Sequence, residues 1–345
     1  MAYSGVIEDF RRIRENKIPR KIPVVADSEE FDVRWYKKYS YEEFCQDGDK
    51  MFEVCKAAIE RFNYDWAWLQ IDDCFEFEPA GVKVKGEGNI LRATYGYLLA
   101  NFETLKKMPV LDPYSDGRMP EKLKAIRKLR EYFKDTVLVV GSCAGPFSAV
   151  GLTFSIEESM MLMYTDPDFL YAAMDYWKEF YKRYIKAQKE AGADAIWLGD
   201  CNAFSSMVPV SLYNEHILPV TKELITWCEK ELDIMIWMHN SETKLDHVLS
   251  HLPLGVSFES IGPDADIREI REVTRGIQPI SGNLDPIKVL WQGNPDSITA
   301  DVNRIMRICK EGGGFIFNTG EMVPRETPEE NMDAYMSAAW KMAEY

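Results

Sequence analysis

The sequence lacks the features of a disulfide-bonded, membrane-spanning or nucleic-acid-binding protein. Its seven cysteines are an odd number without a CxxC pair, which is typical of reduced thiols in a cytoplasmic protein. Acidic residues outnumber basic ones by 56 to 41, and the net charge of −15 argues against nucleic acid or an anionic membrane surface as the main partner. The longest apolar run, 137–154, is interrupted by glycines and a proline and does not predict a membrane span. We also find no apolar signal core at the N-terminus.

Short apolar runs alternate with longer amphipathic stretches along the whole chain. Hydrophobic residues make up 46% of the 345 residues, which is enough for a large core. The short runs are rich in Val, Ile, Phe or Trp and predict β-strands at 22–26, 66–71, 137–141, 195–198, 234–238, 256–258, 278–280 and 315–317. The clearest predicted helix between them runs from Asp168 to Gly192. Strands that alternate with helices in this way predict a parallel sheet, and their number predicts a single (β/α)8 barrel of the TIM type, as one domain over residues 1–345.

Two segments are additional to the eight strands and helices that a minimal barrel needs. The first fifty residues include an N-terminal elaboration with charged stretches. The segment from Cys74 to about Arg118 contains Pro79 and several glycines, and it predicts a long loop insertion after the second strand. Long insertions within a compact domain are often lids or substrate-binding loops, so we expect this one to lie near a site.

Polar side chains follow the predicted strands at the points where the strands end. In a β/α barrel the chemistry lies on the loops at these carboxyl ends, so all of these side chains would face one mouth. The set consists of Asp27, Asp72, Asp73, Cys143, Asp200, Cys201, His239, Glu259, Asn283, Asn318 and Glu321. Such a set could bind a divalent metal or supply general acid and base groups. His239 and Glu321 are the pair that we would test first.

Each of these residues also has a purely structural explanation. His239 could be a satisfied polar group at the rim, and Glu321 an exposed loop carboxylate. Asp200 could cap a helix or a turn. Cys143 and Cys201 could be small buried fillers, because free cysteine behaves as a small hydrophobe.

Several short motifs, taken in order, resemble the uroporphyrinogen decarboxylase superfamily. They are GPF at 145–147, AGADA at 191–195 followed by Asp200, LP at 218–219, the segment that holds His239, SGNLDP at 281–286 and TPEEN at 327–331. The superfamily contains true decarboxylases and also methyltransferases that exchange methyl groups with corrinoid proteins. Its members are TIM-like barrels with the site at the mouth, which agrees with the predicted strands.

The resemblance also separates the functional classes. True decarboxylases resemble one another in an arginine-containing motif just after the first strand, where cationic side chains hold the carboxylates of a tetrapyrrole. Positions 26–30 read ADSEE here, an acidic segment that would repel a polycarboxylate. We therefore do not expect porphyrin decarboxylation.

The methyltransferases that methylate a thiol carry a zinc site of the form His-x-Cys with a distant second Cys. The corresponding positions here are His239, Ser241 and Glu321, so both thiolates are replaced. A serine hydroxyl is a poor zinc ligand, and a further ligand would have to come from Asp200, Cys201 or Glu259. The expected metal ligands are accordingly His239, Glu321 and Cys201.

A zinc ion held by histidine and carboxylates would be a hard Lewis acid, suited to an ether or alcohol oxygen. The resemblance then implies methyl transfer between a small donor, with a methoxy compound favoured, and the cobalt of a corrinoid. We expect catalytic roles for Asp200, Glu259 and Asn283 in this scheme. None of the four histidines follows the Asp-x-His-x-x-Gly pattern of corrinoid carriers, so a partner protein would supply the corrinoid.

Two alternatives remain open at the level of sequence. The first is the opposite half-reaction, in which a methylcorrinoid gives its methyl group to a thiol or a pterin. The second is a metal-free member of the superfamily that only binds a small molecule.

Overall fold

Seven parallel strands form the central sheet of the computed structural model, which describes residues 3–345. The strands of the described residues, in chain order, are β1 (Trp66–Trp68), β2 (Lys83–Lys85), β3 (Ala93–Gly96), β4 (Leu138–Ala144), β5 (Ala195–Gly199), β6 (Met235–Glu242), β7 (Phe258–Ile261), β8 (Ile280–Leu284) and β9 (Phe315–Thr319). β1 and then β4 to β9 pair with their neighbours in chain order, all in parallel. β2 and β3 form a separate antiparallel pair.

The segment Pro23–Val25 closes the sheet between its two edge strands. On one side the Val25 N–H donates to the Phe317 carbonyl at 3.0 Å, and the Phe317 N–H donates to the Pro23 carbonyl at 3.0 Å. On the other side the Asp65 N–H donates to the Val24 carbonyl at 3.0 Å. The first predicted strand therefore lies in the expected place, and the (β/α)8 barrel is confirmed. The Pro23–Val25 segment forms a single β-bridge rather than a full strand, because Pro23 has no N–H and the Val24 N–H donates to the Asp65 carboxylate at 2.8 Å.

Helices cover the outside of the barrel. The α-helices of the described residues are α1 (Val6–Arg14), α2 (Glu29–Tyr36), α3 (Tyr41–Gln46), α4 (Gly48–Phe62), α5 (Phe102–Lys107), α6 (Met119–Phe133), α7 (Pro146–Phe154), α8 (Ile156–Thr165), α9 (Pro167–Ala191), α10 (Val210–Leu212), α11 (Leu218–Thr226), α12 (Leu245–His251), α13 (Ile267–Thr274), α14 (Pro295–Cys309) and α15 (Glu329–Ala343). Short 3-10 turns lie at Glu78–Ala80, Cys201–Ala203 and Leu252–Leu254, and π-helical turns at Tyr213–Ile217, Trp227–Glu231 and Pro286–Trp291. No helix in residues 3–345 is both long enough and apolar enough to cross a bilayer.

α9 confirms the predicted helix 168–192 to within one residue at each end. The Asp166 carboxylate accepts from the Phe169 N–H at 3.1 Å, which satisfies one of the free N–H groups of the first turn. Gly192 ends the helix with a φ of 114°, a left-handed conformation that glycine adopts without a Cβ clash. The apolar stripe between these residues is buried, and so the sequence pattern and the packing agree.

The two predicted additions to the barrel are both present. α1 to α4 precede β1 as the N-terminal elaboration. The insertion after β1 contains the β2–β3 pair and α5, and Arg118 joins its end to its beginning. The Arg118 guanidinium donates to the Asp72 and Glu78 carboxylates at 2.8 and 2.7 Å. Asp72 therefore anchors the insertion through a largely buried ion pair.

Candidate functional site

Some of the polar residues expected just after the strands, among them His239, Glu259 and Asn283, lie inside them. β6 runs to Glu242, β7 to Ile261 and β8 to Leu284, three or four residues beyond the predicted ends. Backbone pairing continues through these residues, since Gly199 pairs with His239. Successive strand side chains point to opposite faces of a sheet, so the extra length decides which polar groups reach the barrel interior.

His239 and Glu321 meet at the carboxyl end of the barrel. The His239 Nε2 atom lies 3.4 Å from the Glu321 Oε1 atom, and the His239 side chain is 1% exposed whereas that of Glu321 is 39% exposed. Ser241 lies between them: its hydroxyl is 3.1 Å from His239 Nε2 and donates to the Glu321 carboxylate. Ser260 Oγ lies 3.2 Å from the other ring nitrogen, Nδ1. The structure thus places His239 and Glu321, the pair selected from the sequence, next to each other.

His239 and Glu321 shift each other's pKa values in opposite directions. Burial alone would lower the pKa of His239, but the Glu321 carboxylate, together with the Cys201 side chain, outweighs burial and raises it well above its ordinary value. Burial would raise the pKa of Glu321, but His239 and the Ser241 hydroxyl lower it to about 2. The pair is therefore an imidazolium beside a carboxylate, with a proton available on His239 Nε2.

Tryptophan side chains form the floor of this site. The Trp197 ring stacks on the His239 ring with centroids 4.4 Å apart and an angle of 28°. Trp68 contacts Trp197 at 5.5 Å, and Trp66 stacks on Trp68 at 5.4 Å. These rings fill the barrel interior below His239 and hold its imidazole in one orientation.

Two cavities open beside the pair and share Gln70, Asp73, Trp197 and Cys201 as lining residues. One has a volume of about 130 Å³ and is lined in addition by Glu76, Phe75 and Phe77. The other, of about 170 Å³, reaches Glu29, Tyr41, Arg92 and Glu321. Both therefore combine aromatic walls with carboxylates.

The carboxyl groups of these walls hold their protons more tightly than usual. Burial raises the pKa of Glu76 to about 7, and burial and the neighbouring Asp72 raise the pKa of Asp73 to about 6. Burial raises the pKa of Glu29 well above its ordinary value. Glu29 and Glu76 each keep one buried carboxyl oxygen without a hydrogen-bond partner. Such oxygens favour a ligand that brings a hydrogen-bond donor or a positive charge.

Two of the other side chains with predicted roles, Asp200 and Asn283, have structural contacts away from the pair, and Cys201 lies beside it. The Asp200 carboxylate accepts from the Ser148 N–H at 2.9 Å and so caps the N-terminus of α7, and its pKa is raised to about 6 by burial. Asn283 donates to the carbonyls of Gly262 and Ala265 at 3.1 Å each and supports the loop after β7. The Cys201 thiol lies 3.7 Å from the His239 carbonyl and also interacts with the His239 side chain. The structure therefore places Cys201 beside the His239–Glu321 pair, whereas it does not bring Asp200 and Asn283 there.

Glu259 belongs to a second cluster, which sequence reasoning missed. Its neighbour Ser260 faces His239, so Glu259 faces the outside of the sheet, where its Oε1 lies 2.7 Å from His251 Nδ1. Glu242, His247 and His251 lie there together, all buried. The spacing of His247 and His251, four residues apart in an amphipathic segment, was the available signal.

The ligands expected for a metal at the mouth are only partly assembled. In the part of the chain that the structure describes, a single group of three or more His, Cys, Asp or Glu side chains has its ligand atoms within 4.8 Å of one another, and it is Glu242, His247 and His251. At the mouth His239 and Glu321 are joined by the weaker Ser241 hydroxyl, and the Cys201 thiol lies beside His239 without joining a group within that distance. That set falls short of the three strong protein ligands that catalytic zinc sites use.

Comparisons with known proteins agree with this architecture. A methyltransferase structure from Methanosarcina mazei superposes with a TM-score of 0.86 at 20% identity, covering 98% of this chain and 99% of that one, which supports the fold. The Methylcobamide:CoM methyltransferase MtbA of Methanosarcina mazei is 26% identical over 96% of both chains. The uroporphyrinogen decarboxylase of Geobacillus thermodenitrificans is 30% identical over 82% of this chain and 81% of its own.

A family model defines the relationship directly. The Uroporphyrinogen decarboxylase (URO-D) model matches residues 8–342, which include every strand of the barrel. The relatives carry two different activities in their names, so family membership alone does not choose between them. The chain belongs to the uroporphyrinogen decarboxylase (URO-D) family.

Proposed function

We propose that this protein transfers a methyl group between a small methyl donor and the cobalt of a corrinoid carried by a separate protein. The His239–Glu321 pair at the barrel mouth is the observation that carries the proposal. Relatives named as methylcobamide and methylated-thiol methyltransferases, at 26% and 27% identity, support it. The aromatic floor and the adjoining cavities would give a small donor a place beside the pair.

A methoxy compound is the donor that suits this pair. Reduced cobalt would attack the methyl carbon, the carbon–oxygen bond would break, and its electron pair would stay on the oxygen. The proton on His239 Nε2 would then pass to that oxygen, and Glu321 would stabilise the imidazolium until this transfer. Trp197 and Ser260 would hold the imidazole in the required orientation.

A zinc ion held by His239 and Glu321, as expected from the sequence, would supply Lewis acidity toward the same oxygen. Among the described residues no third His, Cys, Asp or Glu side chain brings a ligand atom within 4.8 Å of both, so the donor set as it stands does not match a catalytic zinc site. The proton on His239 therefore takes the role of stabilising the departing oxygen in this proposal.

The cavity walls restrict the charge of the donor. Glu29, Asp73 and Glu76 line them, while the nearby Arg92 guanidinium is already paired with the Glu78 carboxylate. An anionic donor would be repelled by the Asp73 carboxylate, and Glu29 and Glu76, which hold their protons more tightly, would offer it no balancing positive charge. We therefore propose a neutral or cationic methoxy compound, and the same walls argue against the polycarboxylate of a porphyrin decarboxylase.

The test is transfer of methyl from neutral, cationic and carboxylated methoxyarenes to a reduced corrinoid protein, followed by the absorbance change of the cobalt. We expect methyl–cobalt to form with neutral or cationic donors, and His239→Gln and Glu321→Gln to reduce the rate by about 10²-fold or more. His216→Gln is the matched control, because His216 bonds to Tyr171 at 2.8 Å away from the mouth. Full activity of His239→Gln would refute the proposal.

The opposite half-reaction is the second candidate, because the names of relatives include CoM as a thiol acceptor. Ser241 and Glu321 replace the thiolate ligands that this chemistry would be expected to use, which is why we rank it second. Methyl–cobalt as the starting material and a panel of thiols and pterins would reveal it. Transfer to a thiol, with none from methoxy donors, would reverse our ranking.

A further inference from the structure

The back of β6 carries a second cluster of metal-binding side chains. His239 and Ser241 face the barrel interior, and Asn240 and Glu242 alternate with them toward α12. We infer that Glu242, His247 and His251 form a closed site for a divalent cation, zinc by its donor chemistry, between β6 and α12. This site is separate from the His239–Glu321 pair and does not depend on the proposed function.

The positions of the three side chains follow from local structure. His247 and His251 are four residues apart on α12, so they project from the same face of the helix. Glu242 ends β6, just before that helix begins. Their ligand atoms lie within 4.8 Å of one another. Zinc–ligand bonds of about 2.0–2.2 Å place tetrahedral ligands about 3.4 Å apart, so a small inward movement of these side chains would complete a site.

Hydrogen bonds from neighbouring groups orient two of the ligands, His251 and Glu242. His251 Nδ1 lies 2.7 Å from Glu259 Oε1, and a proton on Nδ1 leaves a lone pair on Nε2, whose present contact is the Asn240 Nδ2 atom at 3.4 Å, a long hydrogen bond that a metal would replace. A carboxylate behind a histidine in this way is a common support for a zinc ligand. The Glu242 carboxylate accepts from the N–H groups of Thr243 at 2.7 Å and Ser205 at 3.1 Å, which fixes its orientation.

Unpartnered polar atoms in the cluster point to a missing ligand. His247 Nδ1, Asn240 Oδ1 and Glu259 Oε2 are buried without a hydrogen-bond partner, and each residue is 1% exposed. Buried polar atoms in folded proteins almost always have a hydrogen-bond partner, so three without one in a single cluster are unusual. A cation bound by Glu242, His247 and His251 would accept the lone pair of His247 Nδ1 and so supply the partner that this atom lacks.

The chemistry of the ligands favours zinc and a structural role. Two imidazole nitrogens with one carboxylate suit zinc, whereas calcium and magnesium prefer oxygen ligands alone. The cluster is buried under Tyr213, whose ring centroid lies 4.8 Å from that of His251. A closed site with no room for substrate would fasten α12 to β6, and β6 carries His239 on its other face.

Metal content and thermal stability of the full chain test this site. After dialysis against zinc and then buffer, we expect about one zinc per chain in the wild type and in His239→Gln, and a loss of at least tenfold in His247→Gln and Glu242→Gln. His216→Gln is the control for a buried histidine outside the cluster. A chelator should lower the melting temperature of the wild type, and added zinc should restore it, so the test does not depend on the variants folding.

Three results would overturn the inference. Zinc that is lost in His239→Gln and kept in His247→Gln would place the metal at the mouth. A wild type that binds no zinc would show that the cluster is an ion-pair network only. Cobalt(II) in place of zinc should give the strong visible absorption of a tetrahedral site, and a weak octahedral spectrum would also contradict the closed site.

Discussion

Asp32 offers a sharp test of the electrostatics beside the mouth. It lies in α2, the helix whose first turn supplies Glu29 to the cavity wall, and it is only 8% exposed. Ser28 Oγ donates to its carboxyl group at 2.9 Å and the Tyr64 hydroxyl at 3.2 Å, with no cation nearby. Burial raises the pKa of Asp32 from 3.8 to about 8. The perturbation is Asp32→Asn, which keeps the shape and removes the titration.

The magnitude follows from the shift in pKa. The folded protein holds this proton more tightly than the unfolded chain does, so the contribution to stability is complete below about pH 4 and is lost as the pH rises to about 8. At about 1.4 kcal/mol per pKa unit, the loss between pH 5 and pH 8 is about 4 kcal/mol. With an unfolding entropy of about 0.7 kcal/mol per kelvin for a chain of this length, this loss of free energy corresponds to a decrease of about 5 °C in the melting temperature.

The assay compares thermal unfolding of the wild type and Asp32→Asn at pH 5 and pH 8. We expect the melting temperature of the variant, measured relative to that of the wild type, to be about 5 °C higher at pH 8 than at pH 5. The reason is that the amide has no proton to lose. Asp168→Asn, on the exposed first turn of α9, is the control and should show no such gain. An equal effect of Asp32→Asn at both pH values would refute the reasoning, since it would mean that Asp32 is ionised at both.

Two further predictions concern the packing around the site. Trp197→Leu removes the ring stacked on His239 and should lower the methyl-transfer rate at least tenfold. Trp291→Leu, at an exposed position, is the control. An unchanged rate in Trp197→Leu would show that the stacking does not orient the imidazole. Gly145→Ala places a Cβ 2.4 Å from Asp200 Cγ and should cost about 1–3 kcal/mol in thermal unfolding. Asp200→Ala should relieve that clash in the double variant, so simple additivity would contradict it.

The sequence predicted the barrel well because each strand is an apolar run in its own right. Seven predicted strands and the helix α9 are present, and the insertion after β1 is where the composition placed it. The strand ends were predicted less well, since polar residues such as His239 belong to strands that pairing partners extend. The hydrophobic pattern of a single strand does not show how far its backbone pairs with the neighbouring strands.

The site was predicted in part, for a related reason. His239 and Glu321 could be paired because each follows an apolar run in a parallel sheet. The side that each residue faces could not be predicted without the strand register, and so Glu259 was expected in the mouth although it faces α12. Asp200 was also expected there, but it caps α7, a contact between residues 52 positions apart. The His247–His251 spacing was visible in the sequence, but its partner Glu242 lies outside that helix.

The closure of the barrel by Pro23–Val25 has a consequence for how the chain folds. Asp27 and Thr319 are hydrogen-bonded at 3.2 Å although 292 positions separate them, so the closing contacts need almost the entire chain. Bringing such distant residues together costs about 5 kcal/mol of loop-closure entropy. Until β9 is made, the Pro23–Val25 segment and β8 are open edges that can pair with another chain. During synthesis this protein therefore passes through a long period in which aggregation competes with completion of the barrel.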